Sequence, residues 1–169
     1  MSLVDYSPID VVISIAGLHT VTGLADGNFV RIIKNSKPFE TQRAMDGSRQ
    51  RLFHHDEGYK VEITLAQSSP SNNVFSAIHN IDLLTRKMMF PLIIRDTRGQ
   101  TSFFSASTWI DTVPEVTFSN SMETRTWTFG ASDATLIVGG NGDVSQIEDG
   151  ILSATAALPL LAEFGLLGG

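Results

Sequence analysis

Apolar and polar residues alternate in short runs along this chain, and the period changes once near its middle. From Tyr59 to Leu65 the residues Val61, Ile63 and Leu65 fall on one side, with Lys60, Glu62 and Thr64 on the other, the signature of a half-buried strand. From Phe75 the apolar positions Ile78, Ile81, Leu84 (or Leu83) and Met88 recur at spacings of three and four, which predicts an amphipathic helix over about 70–88. Ser69-Pro70 opens it: a capping hydroxyl, then a proline whose missing N–H costs nothing in a first turn.

The other runs read as strands. Ile9–Ala16 places Val11, Ile13 and Ile15 on one face, and Asn28–Lys34 places Phe29, Arg31 and Ile33 together. Asn35 to Gly47 is polar and irregular, with room for a short strand at Phe39–Ala44. Arg49–His55 alternates again, and the turn Asp56-Glu57-Gly58 suggests a tight antiparallel hairpin with the Tyr59 strand. Past the helix, Pro91–Arg95 and Gln100–Ile110 flank the turn Asp96–Gly99. Pro114–Phe118 and Met122–Gly130 are expected to form a last pair, with Trp127 and Phe129 on one face and Thr124, Thr126 and Thr128 on the other. Ala134–Val138 is a further apolar run, and Gly139-Gly140-Asn141-Gly142 reads as a connector.

About eight or nine strands at roughly ten-residue spacing, joined mostly by hairpins, predict a mainly β fold: an antiparallel β-sandwich or barrel with one flanking α-helix. Residues 1–145 are expected to form one β-domain, and 146–169 an apolar tail, helical or a docking arm. Ile151–Gly169 contains Pro159 and Glu163 and falls short of the roughly 20 clean apolar residues that span a bilayer, so no membrane role is expected. Met1–Pro8 has neither the basic region nor the apolar run of a secretory signal.

Charge and candidate chemistry narrow the classes further. Twelve basic against eighteen acidic residues leave −6, which argues against gripping nucleic acid by its phosphates but not against letting it pass. Cysteine is absent, which removes disulfides, thiolate chemistry and Cys-based zinc sites. Of the four histidines, His54 and His55 are neighbours on an expected strand and point to opposite faces, and His79 falls at a helix boundary position. No nucleophile elbow and no P-loop occur, so neither an enzyme nor a cofactor or metal site is expected. Lys34, Lys37, Arg43, Arg49 and Arg51 make the middle loop basic, which means either solvation or pairing with an acidic surface on another subunit.

From Asp10 to Ala131 the chain resembles the tail tube proteins of phages, particularly those with contractile tails. The carriers are Asp46-Gly47 ahead of a strand, Gly58 opening the next, and Leu65-Ala-Gln-Ser-Ser-Pro-Ser-Asn72 leading into the helix. The Gly99 hairpin turn and the closing pair with Trp127 complete the match, and Ser69, Pro70 and Asn72 at the helix entry are its most specific piece. The resemblance implies a structural protein of the virion tail, assembled in the host cytoplasm. Homohexameric rings would stack into a hollow tube, and genomic DNA would leave through it. The implied partners are further copies of the chain, the tail sheath, the baseplate and the tape-measure protein. On that basis Lys60, Glu62, Thr64, Thr124, Thr126 and Thr128 are candidates for the lumen, from strands polar on one side. Lys37, Arg43 and Arg49 are candidates for contact with the next ring. Asp82, Arg86 and Lys87 are expected on the outer side of the helix, where a sheath would dock. The competing expectations are the tube of a related contractile injection device, of bacteriocin or secretion type, and a small-ligand β-domain.

Overall fold

A computed structural model of the chain describes residues 7–140 apart from Ala16. The expected tail at 146–169 and the N-terminal stretch 1–6 lie outside the described residues. A 3-10 turn at Pro8–Asp10 leads into β1 (Val11–Ile15), followed by β2 (His19–Thr20), β3 (Val30–Lys34), β4 (Phe39–Arg43), β5 (Arg49–Phe53) and β6 (Tyr59–Ala66). Helix α1 (Ser71–Thr85) comes next, and then β7 (Phe90–Asp96), β8 (Ser102–Thr112) and β9 (Thr124–Ile137). Seven strands form one sheet in the order β2-β1-β7-β8-β9-β6-β3, while β4 and β5 form a two-stranded sheet of their own. Every pairing among the described residues is antiparallel, and the fold they form is mainly β with one flanking α-helix.

The core is one face of the large sheet. Tyr59, Val61, Ile63 and Leu65 of β6 are buried, as the alternation requires. Register carries the same face across the sheet: Val61 and Ile110 both pair with Phe129, Ile63 with Trp127, Ile94 with Phe103, and Ile13 with Ile94. Helix α1 covers this face through Phe75, whose ring meets Trp127 and Phe129 edge-on at 5.4 and 5.2 Å. Edge-to-face pairs of this kind add about 0.5–1.5 kcal/mol each beyond the burial of the rings.

The alternation slips along β8 and β9. On β8 the buried positions are Phe103 and Ser105, then Thr108 and Ile110; on the core face of β9 they are Trp127, Phe129 and Ala131 (Thr128 is covered on the other face), after which Ala134 and Leu136 pack on the core. Both changes of parity fall where Ser107 pairs with Ser132, beside Asp133, which sits at φ +49° in the left-handed region. Ser105 Oγ donates to the Ser132 carbonyl at 2.8 Å and steadies the site. The run at Ala134–Val138 is therefore no separate element: it continues β9 after this bend.

Three more expectations are corrected. Arg49–Phe53 pairs with Phe39–Arg43, not with the Tyr59 strand, and β6 pairs with β3 and β9 instead. The short strand expected at Phe39–Ala44 is present as β4, and with the turn at Asp46-Gly47 it makes one leg and the tip of that hairpin. Pro114–Phe118 forms no strand; β9 finds its partners in β6 and β8, and the segment between β8 and β9 crosses the end of the sheet. The helical stripe is buried only at its start, because Ile81, Leu83 and Leu84 are exposed while Phe75 is enclosed.

Candidate assembly surfaces

The helix-entry motif is a structural knot. Ser69 Oγ donates to the Thr22 carbonyl and accepts from the Ser71 amide at 3.2 Å, so the hydroxyl caps the helix with Pro70 standing at the cap position. Ser71 Oγ accepts from the Thr22 amide at 3.0 Å and lies 2.9 Å from His19 Nε2. Asn72 Nδ2 donates to the carbonyls of Ala66 and Ser69, and its Oδ1 accepts from Trp127 Nε1 at 2.9 Å. Gly23 closes the knot: at φ +68° it brings the chain so near that a Cβ there would lie 2.7 Å from Ser69 Cβ. These polar side chains are consumed by folding and left with no free group for chemistry.

The lumen candidates share one surface opposite the core. Glu62 pairs with Thr128, Thr64 with Thr126, Lys60 with Gly130 and Ala66 with Thr124. The hydroxyls of Thr64 and Thr126 are 3.1 Å apart. Glu62 lies 3.7 Å from both Arg31 and Lys60, so the face holds two cations against one carboxylate amid hydroxyls. It is polar and nearly neutral, not acidic. Thr128 is the one candidate the fold covers, against Thr112 on β8. Beyond β6 the sheet ends at β3, whose outer edge pairs with no strand among the described residues.

The β4–β5 hairpin, which carries Arg43 and Arg49, stands clear of the large sheet. Every residue of both strands is exposed. Its own side chains brace it: the Arg51 guanidinium lies 3.5 Å from the Phe39 ring centroid, Phe39 and Phe53 rings are 5.4 Å apart, and His54 Nε2 is 3.1 Å from Glu40 Oε2. At the tip Asp46 Oδ1 accepts from the Ser48 hydroxyl and amide, which holds its carboxyl below the usual carboxylate range. Arg43 and Arg49 stand directly opposite each other, and neither has an ion pair among the described residues. Lys37 lies at the foot of the same hairpin, beside its first strand.

A groove of about 630 Å³ runs between α1 and the segment after β8, lined among others by His79, Leu83, Val113, Val116, Arg125 and Trp127. Nothing in the periodicity announced it, since Pro114–Phe118 read as a strand. Residues 111–123 carry Asp111, Glu115 and Glu123 and no cation. His79 borders the groove, and its Nδ1 makes no hydrogen bond among the described residues. Asp82 is not a free outward charge, because its Oδ1 accepts from the Met88 amide where Arg86, at φ +56°, turns the chain out of the helix. Among the described residues no cluster of three or more histidines or carboxylates is placed to hold a metal ion.

No family model matches the chain. It is 31% identical over 138 residues to the structural protein ORF10 of Pseudomonas phage KPP10, covering 80% of each. Its fold matches a chain in the cryo-EM structure of the anti-feeding prophage cap, the AFP tube terminating cap (TM-score 0.56, 15% identity, 82% of this chain and 95% of that one). It also matches a chain in the virion of a native gene transfer agent particle (TM-score 0.55, 11% identity, 79% and 100%). At such identities the likeness to the solved structures is one of fold, whereas the phage relative is close enough in sequence and extent to fix descent: the chain belongs to the family of the phage structural protein ORF10.

Proposed function

We propose that this chain is a structural protein of a phage tail that forms the inner tube, as stacked hexameric rings through which genomic DNA is ejected. Membership in a family of phage structural proteins supports the coarser part of this reading. The observation that carries the finer part is the polar, threonine-rich face of β6 and β9, set at the side of a sheet that ends in the open edge of β3. An unpaired edge is a hazard unless something pairs it, and closing the sheet across copies removes it. With about four strands from each of six copies, spaced ~4.8 Å and tilted ~40°, the barrel backbone is roughly 48 Å across, wide enough after side chains for duplex DNA. A wall of hydroxyls with few uncompensated cations holds phosphate weakly, so the strand slides. The β4–β5 hairpin, with Lys37, Arg43 and Arg49, reaches the next ring.

Negative-stain microscopy of the purified chain tests the reading. Rings and tubes with an open bore are expected, and a stable monomer at high concentration would end it. A second reading, the ring that terminates a tube, draws on the fold likeness to a chain of the AFP tube terminating cap. That reading expects discrete rings that never self-stack. For the lumen assignment, a phage carrying Glu62→Lys should eject its genome more slowly, because the substitution turns the one carboxylate of that face into a third cation. Unchanged ejection kinetics would move the lumen elsewhere.

A further inference from the structure

We propose that the groove beside α1, with the acidic segment 111–123, receives the β4–β5 hairpin of a second copy of this chain in the adjoining ring. The inference rests on the tube reading above and names the surface that reading leaves unassigned.

Hairpin and groove join opposite ends of β6. Both hairpin legs join the large sheet at the Tyr59 end of β6, since Lys34 pairs with Tyr59 and β5 runs directly on into β6. Segment 111–123 joins at the other end: Ala66 pairs with Thr124, and the Gln67 amide donates to the Glu123 carbonyl at 3.0 Å. The two ends are about 23 Å apart along β6 at ~3.3 Å per residue. A projection at one end and a recess at the other describe a head-to-tail contact, which repeats without closing and so builds a filament.

The two surfaces also complement each other. Residues 37–53 hold four cations and two carboxylates, a net +2. Residues 111–123 hold three carboxylates and no cation, and Arg125 in the groove wall reduces the sum to −2. Glu123 is engaged with the Ser119 hydroxyl at 2.6 Å, and Asp111 and Glu115 have no ion pair among the described residues. Apolar groups match as well: Met45 is fully exposed at the hairpin tip, and Leu83, Val113 and Val116 are exposed around the groove. The cross-strand pair Arg43–Arg49 sets like charges face to face, which destabilises a hairpin standing alone and is relieved by carboxylates from outside.

Two charge-reversed variants test this: Arg43→Glu with Arg49→Glu, and Asp111→Lys with Glu115→Lys. Each alone should keep folded rings but lose pelletable tubes by at least about tenfold, because like charges then face each other across the interface. Mixing the two in equal amounts should restore tubes of alternating composition, since each tip then meets an opposite charge. Because cysteine is absent, a second measurement avoids charge altogether: Met45→Cys with Val116→Cys should give chain ladders with a short bis-maleimide, and neither replacement alone should. If the hairpin variant loses tubes while the groove variant stacks as the parent does, or if mixing and cross-linking both fail, the receiving surface is wrong and the tube reading stands. If the parent chain never forms tubes, both fail together.

Discussion

Trp127 Nε1 donates a hydrogen bond to Asn72 Oδ1 at 2.9 Å, tying the first turn of α1 to the strand beneath it. Asn72→Ala leaves the buried indole N–H without a partner and removes one of the two hydrogen bonds to each of the carbonyls of Ala66 and Ser69. The expected loss is about 1–3 kcal/mol, the penalty for an unsatisfied buried donor. Urea unfolding followed by tryptophan fluorescence checks it.

Phe75 and Leu84 sit on one helix and should respond in opposite ways. Phe75 is enclosed by Trp127 and Phe129, so Phe75→Ala is expected to cost about 3–5 kcal/mol. Leu84 is 86% exposed, and Leu84→Gln should stay within about 0.5 kcal/mol. Equal losses in denaturant titrations would mean that the second half of the helix is covered within the chain.

Gly17 and Gly23 separate backbone strain from close approach. Both have positive φ, +65° and +68°, but a Cβ meets nothing within 4 Å at Gly17 and the Ser69 side chain at Gly23. Alanine at either position pays the left-handed strain of about 1–2 kcal/mol. Gly23→Ala must in addition displace the helix-entry knot, so its melting temperature should fall clearly below that of Gly17→Ala.

Arg49→Glu should stabilise the lone hairpin while harming assembly. Across from Arg43 it replaces a repulsive pair by an attractive one, worth about 0.2–1 kcal/mol. Slower amide exchange in β4 and β5 together with fewer tubes is the expected result. Faster exchange would mean that the arginines do not repel.

The tip of the hairpin should resist acid. Because the Ser48 hydroxyl and amide favour the ionised Asp46, its folded pKa lies below the unfolded one. The brace is present above the unfolded pKa and is lost as pH falls through the lower, folded value. The Ser48 amide resonance should therefore titrate below the ordinary carboxylate range, and Asp46→Asn should abolish that titration.

Some of this was legible in the residues themselves. The alternation of β6 named its buried and exposed sides correctly, and it set Lys60, Glu62 and Thr64 on the face where Thr124, Thr126 and Thr128 were then found. Partners were less legible. Arg49–Phe53 lies next to the Tyr59 strand in sequence, and a turn separates them, yet it pairs backwards with Phe39–Arg43. Pro114–Phe118 carries a strand's alternation, yet β8 pairs with β9 only as far as Thr112 with Thr128, and the segment beyond forms no strand.

Chain order and side-chain period by themselves determined an antiparallel β-domain with a helix entered through Ser69-Pro70. Both are local properties, set by which side of a strand or helix a residue must occupy. The tertiary structure alone decided that the hairpin stands free, that the helical stripe stops being buried after Ile78, and that a groove opens beside α1. These depend on which edges and faces remain once the core has closed, and no neighbouring residue records that.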